Sequence, residues 1–339
     1  MGESQMDTAK LDRIAAQMMA RPGGILAADE SPGTMGKRLS TIGMENTVEN
    51  RRAWRQVMFG ATLLPYVNAV ILPEEILQDA KLVGLLVNQS VLPGVKIDGG
   101  LTKFEDSDVE EVTLGLDGVD ERLAEYVRLG ATFTKFRSFL HIDVGRGLPT
   151  AANIRANAKV QAAFAIATQK AGLVPMVEPE IDMVGAHSIS DCERVTRDTL
   201  KAVFEELGAA GVHYPGMVLK PNMVLSGKDA RDRADAKTVA ERTVFVLNEL
   251  VPSAVAGIAF LSGGQSDAEA YANLDAINRV AIAKGNKMRY TFSFGRAAQD
   301  TARGVWNGSV ANEAASREAF IRGLKEMSEA STGSLVVAR

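Results

Sequence analysis

Short apolar runs rich in β-branched residues recur along the chain: Gly24–Ala28, Val67–Leu72, Val95–Ile97, Ala131–Phe136, Leu173–Val177, Met217–Leu219, Gly257–Leu261 and Tyr290–Phe294. Their hydrophobicity is nearly continuous rather than alternating, which predicts strands covered on both faces, as in a parallel sheet. Segments of helical periodicity lie between them. Ser190 with Glu193 reads as a capping box opening a helix with Val195, Leu200, Val203, Phe204 and Leu207 on its apolar side and Gly208 at its close. Ser266 with Glu269 opens another helix directly after the seventh run. Eight strands alternating with helices predict an α/β fold, a single (β/α)8 TIM barrel over residues 1–339 with additional helices at the termini. The terminal pieces are an N-terminal helix within 1–20 and a C-terminal tail over 326–339. A doubly wound open sheet is the rival architecture. It is disfavoured because no G-x-G-x-x-G follows the first run and no G-x-x-x-x-G-K-[ST] occurs. No linker divides the chain, and its most polar stretch, Gly227–Lys237, reads as a loop within the domain.

Composition narrows the function class. The 339 residues are 46% hydrophobic and 24% charged, enough to bury a sizeable core. With 38 basic against 42 acidic side chains the net charge is −4, and no basic cluster points to nucleic acid or to an anionic membrane. A small-molecule ligand or a protein partner is the expectation. The lone Cys192 forbids an internal disulfide and suits a reducing cytoplasm. It stands at a polar helix start, and together with only His141, His187 and His213 it makes a zinc site improbable. The N-terminal MGESQMDTAK has no apolar core of a signal peptide, and no run approaches the eighteen apolar residues of a membrane span.

In a barrel the reactive groups come from the carboxyl ends of the strands. Those ends are heavily polar here: Asp29 and Glu30 after the first run, Lys96 and Asp98 on the third, Lys135 and Arg137 on the fourth, Glu178 and Glu180 after the fifth, Lys220 after the sixth, Ser262, Gly263 and Gly264 after the seventh, and Gly295 and Arg296 after the eighth. Side chains alternate along a strand, so the pairs Lys96/Asp98, Lys135/Arg137 and Glu178/Glu180 can each face one side and together form a mixed-charge pocket. Lys220 stands between an apolar run and Pro221, which holds it extended at a strand terminus. Desolvation and the neighbouring cations Lys135 and Arg137 disfavour an ammonium there, which is how a lysine becomes a nucleophile for a carbonyl. The alternative role is a structural ion pair with Glu178. Imine chemistry also needs an acid and a base, and Glu178 with Asp29 or Glu180 can supply them. The sequences LSGGQS and SFGR suggest an anion site, with glycines admitting backbone N–H groups to a phosphate and Arg296 adding a charged fork. Lys37, Arg38, Lys96 and Arg137 can hold a second anionic end, so a substrate with two phosphates is reasonable.

These residues sit in stretches, GILAADESPGTMGKRL, IGMENTVENRR, GVKIDGG, GLDGVDERLAEY, TKFR, VPMVEPEI, LKPNMV, FLSGGQS and TFSFGRA, whose content and order resemble class I fructose-bisphosphate aldolase from about Gly23 to at least Lys325. The resemblance implies a cytoplasmic, usually tetrameric barrel enzyme that needs no metal or cofactor. It implies reversible cleavage of fructose 1,6-bisphosphate to dihydroxyacetone phosphate and glyceraldehyde 3-phosphate, in glycolysis and gluconeogenesis. Carried over by motif, Lys220 is the Schiff-base lysine, Glu178 with Glu180 beside it the proton-transfer carboxylate, Asp29 the base for the C4 hydroxyl, and Lys135 the cation that supports imine formation. Ser262, Gly263, Gly264, Gly295 and Arg296 would cradle the phosphate of the imine-bound half. Ser31, Lys37, Arg38, Lys96 and Arg137 would face the other phosphate.

The chain departs from many relatives in Gly99 after the KxD motif, in Phe136 within TKFR, and in having no tyrosine after Tyr290. If the tail matters, protonation at C3 must use another group or water. Three rival functions remain. They are a Schiff-base aldolase preferring sedoheptulose 1,7-bisphosphate or a monophosphate, a non-catalytic binding scaffold, and a metal-dependent aldolase, the last disfavoured by the missing histidine ligands.

Overall fold

The structure is a computed structural model that describes residues 6–335. Its strands are β1 (Gly24–Ala27), β2 (Val67–Leu72), β3 (Leu92–Lys96), β4 (Leu101–Lys103), β5 (Glu111–Thr113), β6 (Phe133–Leu140), β7 (Val174–Ile181), β8 (Val218–Leu219), β9 (Gly257–Phe260) and β10 (Tyr290–Phe292). Eight of them form one parallel sheet in the order β1-β2-β3-β6-β7-β8-β9-β10, while β4 and β5 make a separate antiparallel hairpin. The Ala27 N–H donates to the Phe294 carbonyl at 3.0 Å and the Thr291 hydroxyl to Gly23 at 3.1 Å, so the eighth strand returns to the first and the sheet closes into a barrel. The predicted (β/α)8 architecture is the observed one.

Each apolar run anticipates a barrel strand, but their lengths differ. β6 and β7 continue through Arg137 and Glu178 to Leu140 and Ile181, because charges on the inward face are buried against one another rather than against solvent. β3 begins three residues before Val95, at Leu92, where Pro93 and Gly94 weaken the strand signal. Two-residue alternation divides the strands. Ile25, Ala69, Ile71, Phe133, Val174, Met176, Val218 and Ala259 share an interior cluster with Leu11, Ala15 and Met18 of the helix Thr8–Met18 and with its C-cap Met19. Their neighbours Leu26, Val70, Val95, Phe136, Val177, Leu219 and Phe260 pack outward against the surrounding helices. The N-terminal helix therefore plugs one end of the barrel. The open end is where the next inward residues on the same strands, Lys135 and Arg137, Glu178 and Glu180, and Lys220, line a cavity.

Several predicted helix ends move. The capping box of the helix Ile189–Ala209 is Ser188 with Asp191, not Ser190 with Glu193. Those two residues instead hold Arg242 of the next helix, at 3.2 and 2.8 Å. The helix runs one residue past Gly208, which lies beneath the Tyr214 hydroxyl. The polar stretch after β8 gives way to helix at Ala236, with Asp235 as N-cap. The capping box of Ser266 with Glu269 is present as expected. The last helix, Glu313–Ala330, occupies the first part of the predicted tail, so irregular chain begins at Ser331; residues 336–339 lie outside the described ones. Among the described residues no helix is long and apolar enough to cross a membrane.

Candidate active site

At the open end of the barrel lies a cavity of about 590 Å³. Such a volume suits a phosphorylated sugar-sized ligand. Its floor is a chain of alternating charge. Lys220 Nζ is 3.0 Å from Glu178 Oε1, and Glu178 Oε2 is 3.0 Å from Lys135 Nζ. Lys135 Nζ is also 2.7 Å from Asp29 Oδ2 and 3.9 Å from Asp98 Oδ2, and Asp98 Oδ1 is 2.5 Å from Lys96 Nζ. On the wall beside them Arg137 pairs with Glu180. Lys135, Glu178 and Lys220 are each less than 5% exposed.

Strand register produces this proximity. Lys96 is paired with Lys135 across β3 and β6, and Arg137 with Glu178 across β6 and β7, while the Lys220 N–H donates to the Val177 carbonyl at 2.8 Å. The i,i+2 pairs read from the sequence thus do project into one space. Buried ion pairs contribute little to folding because desolvation offsets their attraction, so a floor of this kind has to be explained by chemistry rather than by stability.

Electrostatics divides the carboxylates. Burial pushes Asp29 and Glu178 up, but the fields of Lys135 and Lys220 outweigh it and hold both below the ordinary carboxylate range. For Glu180 burial wins over Arg137 and the shift is upward. Burial likewise opposes the charge on Lys135, yet Asp29, Glu178 and Asp98 raise it well above the usual lysine range, so it stays an ammonium. Glu178 Oε2 contacts Lys135 but accepts no aligned hydrogen bond, which leaves a buried acceptor open at the cavity. A buried lysine in contact with a carboxylate, next to a second lysine held as an ammonium, is an arrangement suited to attack on a carbonyl and to dehydration of the adduct.

Two features of the rim suit anions. Gly295 is the N-cap of the helix Arg296–Trp306, and the first N–H groups of a helix attract negative charge. A Cβ at Gly295 would stand 3.1 Å from the Ala27 carbonyl oxygen, so a glycine lets this helix start against β1. Ser262 and Gly263 line the cavity beside it, and Arg296 donates to the Gln265 carbonyl at 2.8 Å instead of binding a carboxylate. At another part of the rim Ser31 caps the helix Pro32–Ser40, which carries Arg38. Arg38 pairs with Glu30, and Glu30 also meets the buried Arg55 and, at 2.8 Å, Gln299.

A model of the family described as "Glycolytic: Fructose-bisphosphate aldolase class-I" matches residues 10–338. The chain belongs to the class I fructose-bisphosphate aldolase family. It is 42% identical over 327 residues to fructose-bisphosphate aldolase, cytoplasmic isozyme 2, of Pisum sativum, covering 94% of this chain and 89% of that one. To fructose-bisphosphate aldolase of Plasmodium falciparum it is 40% identical over 334 residues, covering 96% and 90%. A solved structure of fructose-bisphosphate aldolase from Plasmodium falciparum, in complex with TRAP and a small-molecule inhibitor, superposes with a TM-score of 0.94 at 39% identity, covering 97% of this chain and 96% of that one.

In this aldolase chain the cavity gathers thirteen of the fifteen residues given a catalytic or phosphate-binding role from the sequence: Asp29, Ser31, Arg38, Lys96, Lys135, Arg137, Glu178, Glu180, Lys220, Ser262, Gly263, Gly295 and Arg296. Lys37 and Gly264 are not among its lining. Lys37 is exposed on the helix that turns Arg38 inward, since neighbours on a helix diverge by about 100°. Gly264 packs behind the cavity wall against Met183. Asp98, read from the sequence as the pocket partner of Lys96, bridges Lys96 and Lys135, and the structure adds Ser293, whose buried hydroxyl lines the cavity with no hydrogen-bond partner among the described residues. The alternation of Thr291 and Ser293 with Phe292 and Phe294 is the sequence signal for the latter. Cys192 is fully buried, its thiol pushed up by burial to about 11, so it is no reactive centre. Among the described residues no group of His, Cys, Asp or Glu is arranged to hold a metal ion.

Proposed function

We propose that this aldolase cleaves fructose 1,6-bisphosphate reversibly through an imine at Lys220. The observation that carries the reading is the buried contact of 3.0 Å between Lys220 Nζ and Glu178 Oε1. As the ketone displaces water, Lys220 passes a proton to Glu178, and with that proton goes the Lys220 charge that helps to hold this carboxylate low, so the neutral amine and the loaded acid arise in one step. The amine attacks C2, and the carbonyl oxygen takes up a proton while the nitrogen loses one, giving a carbinolamine. Glu178 returns its proton to the departing hydroxyl, and water leaves an iminium. Lys135 remains charged throughout and steadies the oxygen as it gains negative charge.

The iminium is the electron sink for cleavage. Asp29, held ionised by Lys135 and Lys220, removes the C4 hydroxyl proton. The C3–C4 bonding pair moves toward the iminium, glyceraldehyde 3-phosphate departs, and an enamine stays on Lys220. Protonation at C3 and hydrolysis release dihydroxyacetone phosphate and restore the amine. The helix N-terminus at Gly295, with Ser262, Gly263 and Arg296, would hold the phosphate nearer the imine. Arg38, Lys96, Arg137 and Ser31 would face the other. No cofactor enters this scheme, and full activity in EDTA is its expectation.

The test is borohydride reduction in the presence of dihydroxyacetone phosphate followed by peptide mass analysis. An adduct on Lys220, lost in Lys220→Ala, is expected. Undiminished turnover by that variant would overturn the assignment. A cytoplasmic location and a tetramer complete the proposal, supported by the names and resemblance of the relatives. Fluorescent tagging in cells and analytical ultracentrifugation test them.

A further inference from the structure

We propose that Arg233, which lies outside the cavity, is a positioning residue for the anion-binding turn Ser262–Ser266. The inference rests on the reading of that turn as part of the cradle for the phosphate nearer the imine. The N–H groups of Gly263 and Gly264 have no backbone partner among the described residues, whereas that of Gln265 folds back to the Ser262 carbonyl at 3.3 Å. Gly264 adopts φ +75°, a left-handed conformation of the kind that turns successive N–H groups toward one anion. Such a nest works only if its carbonyls are held away from the ligand.

Two arginines hold them. Arg296 takes the Gln265 carbonyl at 2.8 Å, and Arg233 Nη2 takes the Gly264 carbonyl at 3.2 Å, which fixes the peptide plane that follows the left-handed residue. Arg233 is itself anchored, since its Nη1 lies 2.9 Å from Glu269 Oε1. The other oxygen of Glu269 accepts the Ser266 N–H and hydroxyl at 2.8 and 2.9 Å. Glu269 is thus bound at both oxygens, and it ties Arg233 to the end of the turn as well as to its middle. From the other side Met183 presses on Gly264, where a Cβ would stand 2.3 Å from the Met183 Cβ. The Met183 carbonyl accepts the Lys228 N–H at 2.7 Å. The segment after β8, which carries both Lys228 and Arg233, therefore grips the turn directly and through Met183.

The experiment measures half-saturating dihydroxyacetone phosphate in borohydride trapping, the trapping rate with unphosphorylated dihydroxyacetone, and kcat and KM for fructose 1,6-bisphosphate. The proteins are the native chain, Arg233→Ala, Arg233→Lys and Arg296→Ala. Arg233→Ala should raise half-saturation and KM about three- to tenfold, the effect of one net hydrogen bond. It should leave kcat within about twofold and trapping by dihydroxyacetone unchanged, and Arg233→Lys should recover part of the loss. If Arg296→Ala weakens dihydroxyacetone phosphate and Arg233→Ala does not, this inference falls and the cradle stands. If neither variant weakens it, both fall. Equal losses with the phosphorylated and unphosphorylated ketone would mark a general structural role for Arg233 and also overturn the inference.

Discussion

Glu178 places one carboxylate oxygen 3.0 Å from Lys220 Nζ and the other 3.0 Å from Lys135 Nζ, so a single carboxylate serves two buried ammonium groups. The proposed chemistry asks opposite things of them. Lys220 has to surrender a proton, whereas Lys135, pressed by Asp29, Glu178 and Asp98, keeps its own. Glu178→Gln preserves shape but removes the proton acceptor. Its kcat should fall by about 10²- to 10⁴-fold, the range for loss of a general acid–base group. Steady-state cleavage and the rate of borohydride trapping should decline together. Turnover within threefold of the native protein would move proton transfer to another group.

Asp29 also contacts Lys135, at 2.7 Å from Nζ, and is assigned a later step. Asp29→Asn should therefore separate imine formation from bond cleavage. Fructose 1,6-bisphosphate should still condense with Lys220, and the uncleaved hexose adduct should accumulate and be trapped by borohydride at its full mass. Cleavage should fall by at least about 100-fold. A variant that cleaves normally would assign the C4 proton to Glu178 instead.

The same fields make stability depend on pH. Burial raises Asp29, but Lys135 and Lys220 outweigh it, so its folded pKa lies below the unfolded value of about 4. The unfolded chain then binds the proton more readily. Asp29 contributes stability above its unfolded pKa and loses it as the pH falls through the folded value. Glu180, whose shift is upward, acts in the opposite sense and withdraws stability as the pH rises through its raised value. Thermal unfolding followed from pH 6 to pH 3 should show the native midpoint dropping steeply below about pH 4. Asp29→Asn should show a shallower drop, and identical slopes would contradict the linkage.

The sequence exposes the floor of the site because a strand needs only alternation to aim two residues at one place. Lys135 and Arg137, or Glu178 and Glu180, are legible as partners from spacing alone. Strand length is less legible, since an apolar run ends at the first charge, whereas β6 and β7 carry their charges inward to Leu140 and Ile181. Arg55 is hidden in another way. It lies among Trp54, Val57 and Met58 on the buried face of the helix Val48–Phe59, and its partner Glu30 is brought to it only by the fold. Lys37 and Arg38 are equivalent as text and differ only in helical phase. No spacing announces Arg233, whose partners belong to a different strand–helix unit.

Leu11 tests whether the plugged end of the barrel is energetically separate from the chemistry. It is fully buried in the interior cluster with Ile25, Phe133, Val174 and Met176, at the end away from Lys220. Leu11→Ala should cost about 2–5 kcal/mol, the usual range for a buried leucine that leaves a cavity. The loss should appear as a lower urea midpoint with an unchanged denaturant slope, measured at one protein concentration because assembly would otherwise shift it. At 25 °C kcat and KM should stay within about twofold of native. The chain Lys220–Glu178–Lys135–Asp29 is positioned by strand register, which the far end of the barrel does not set. A large rise in KM at unchanged stability would mean that the helix Thr8–Met18 helps to shape the mouth through the barrel interior.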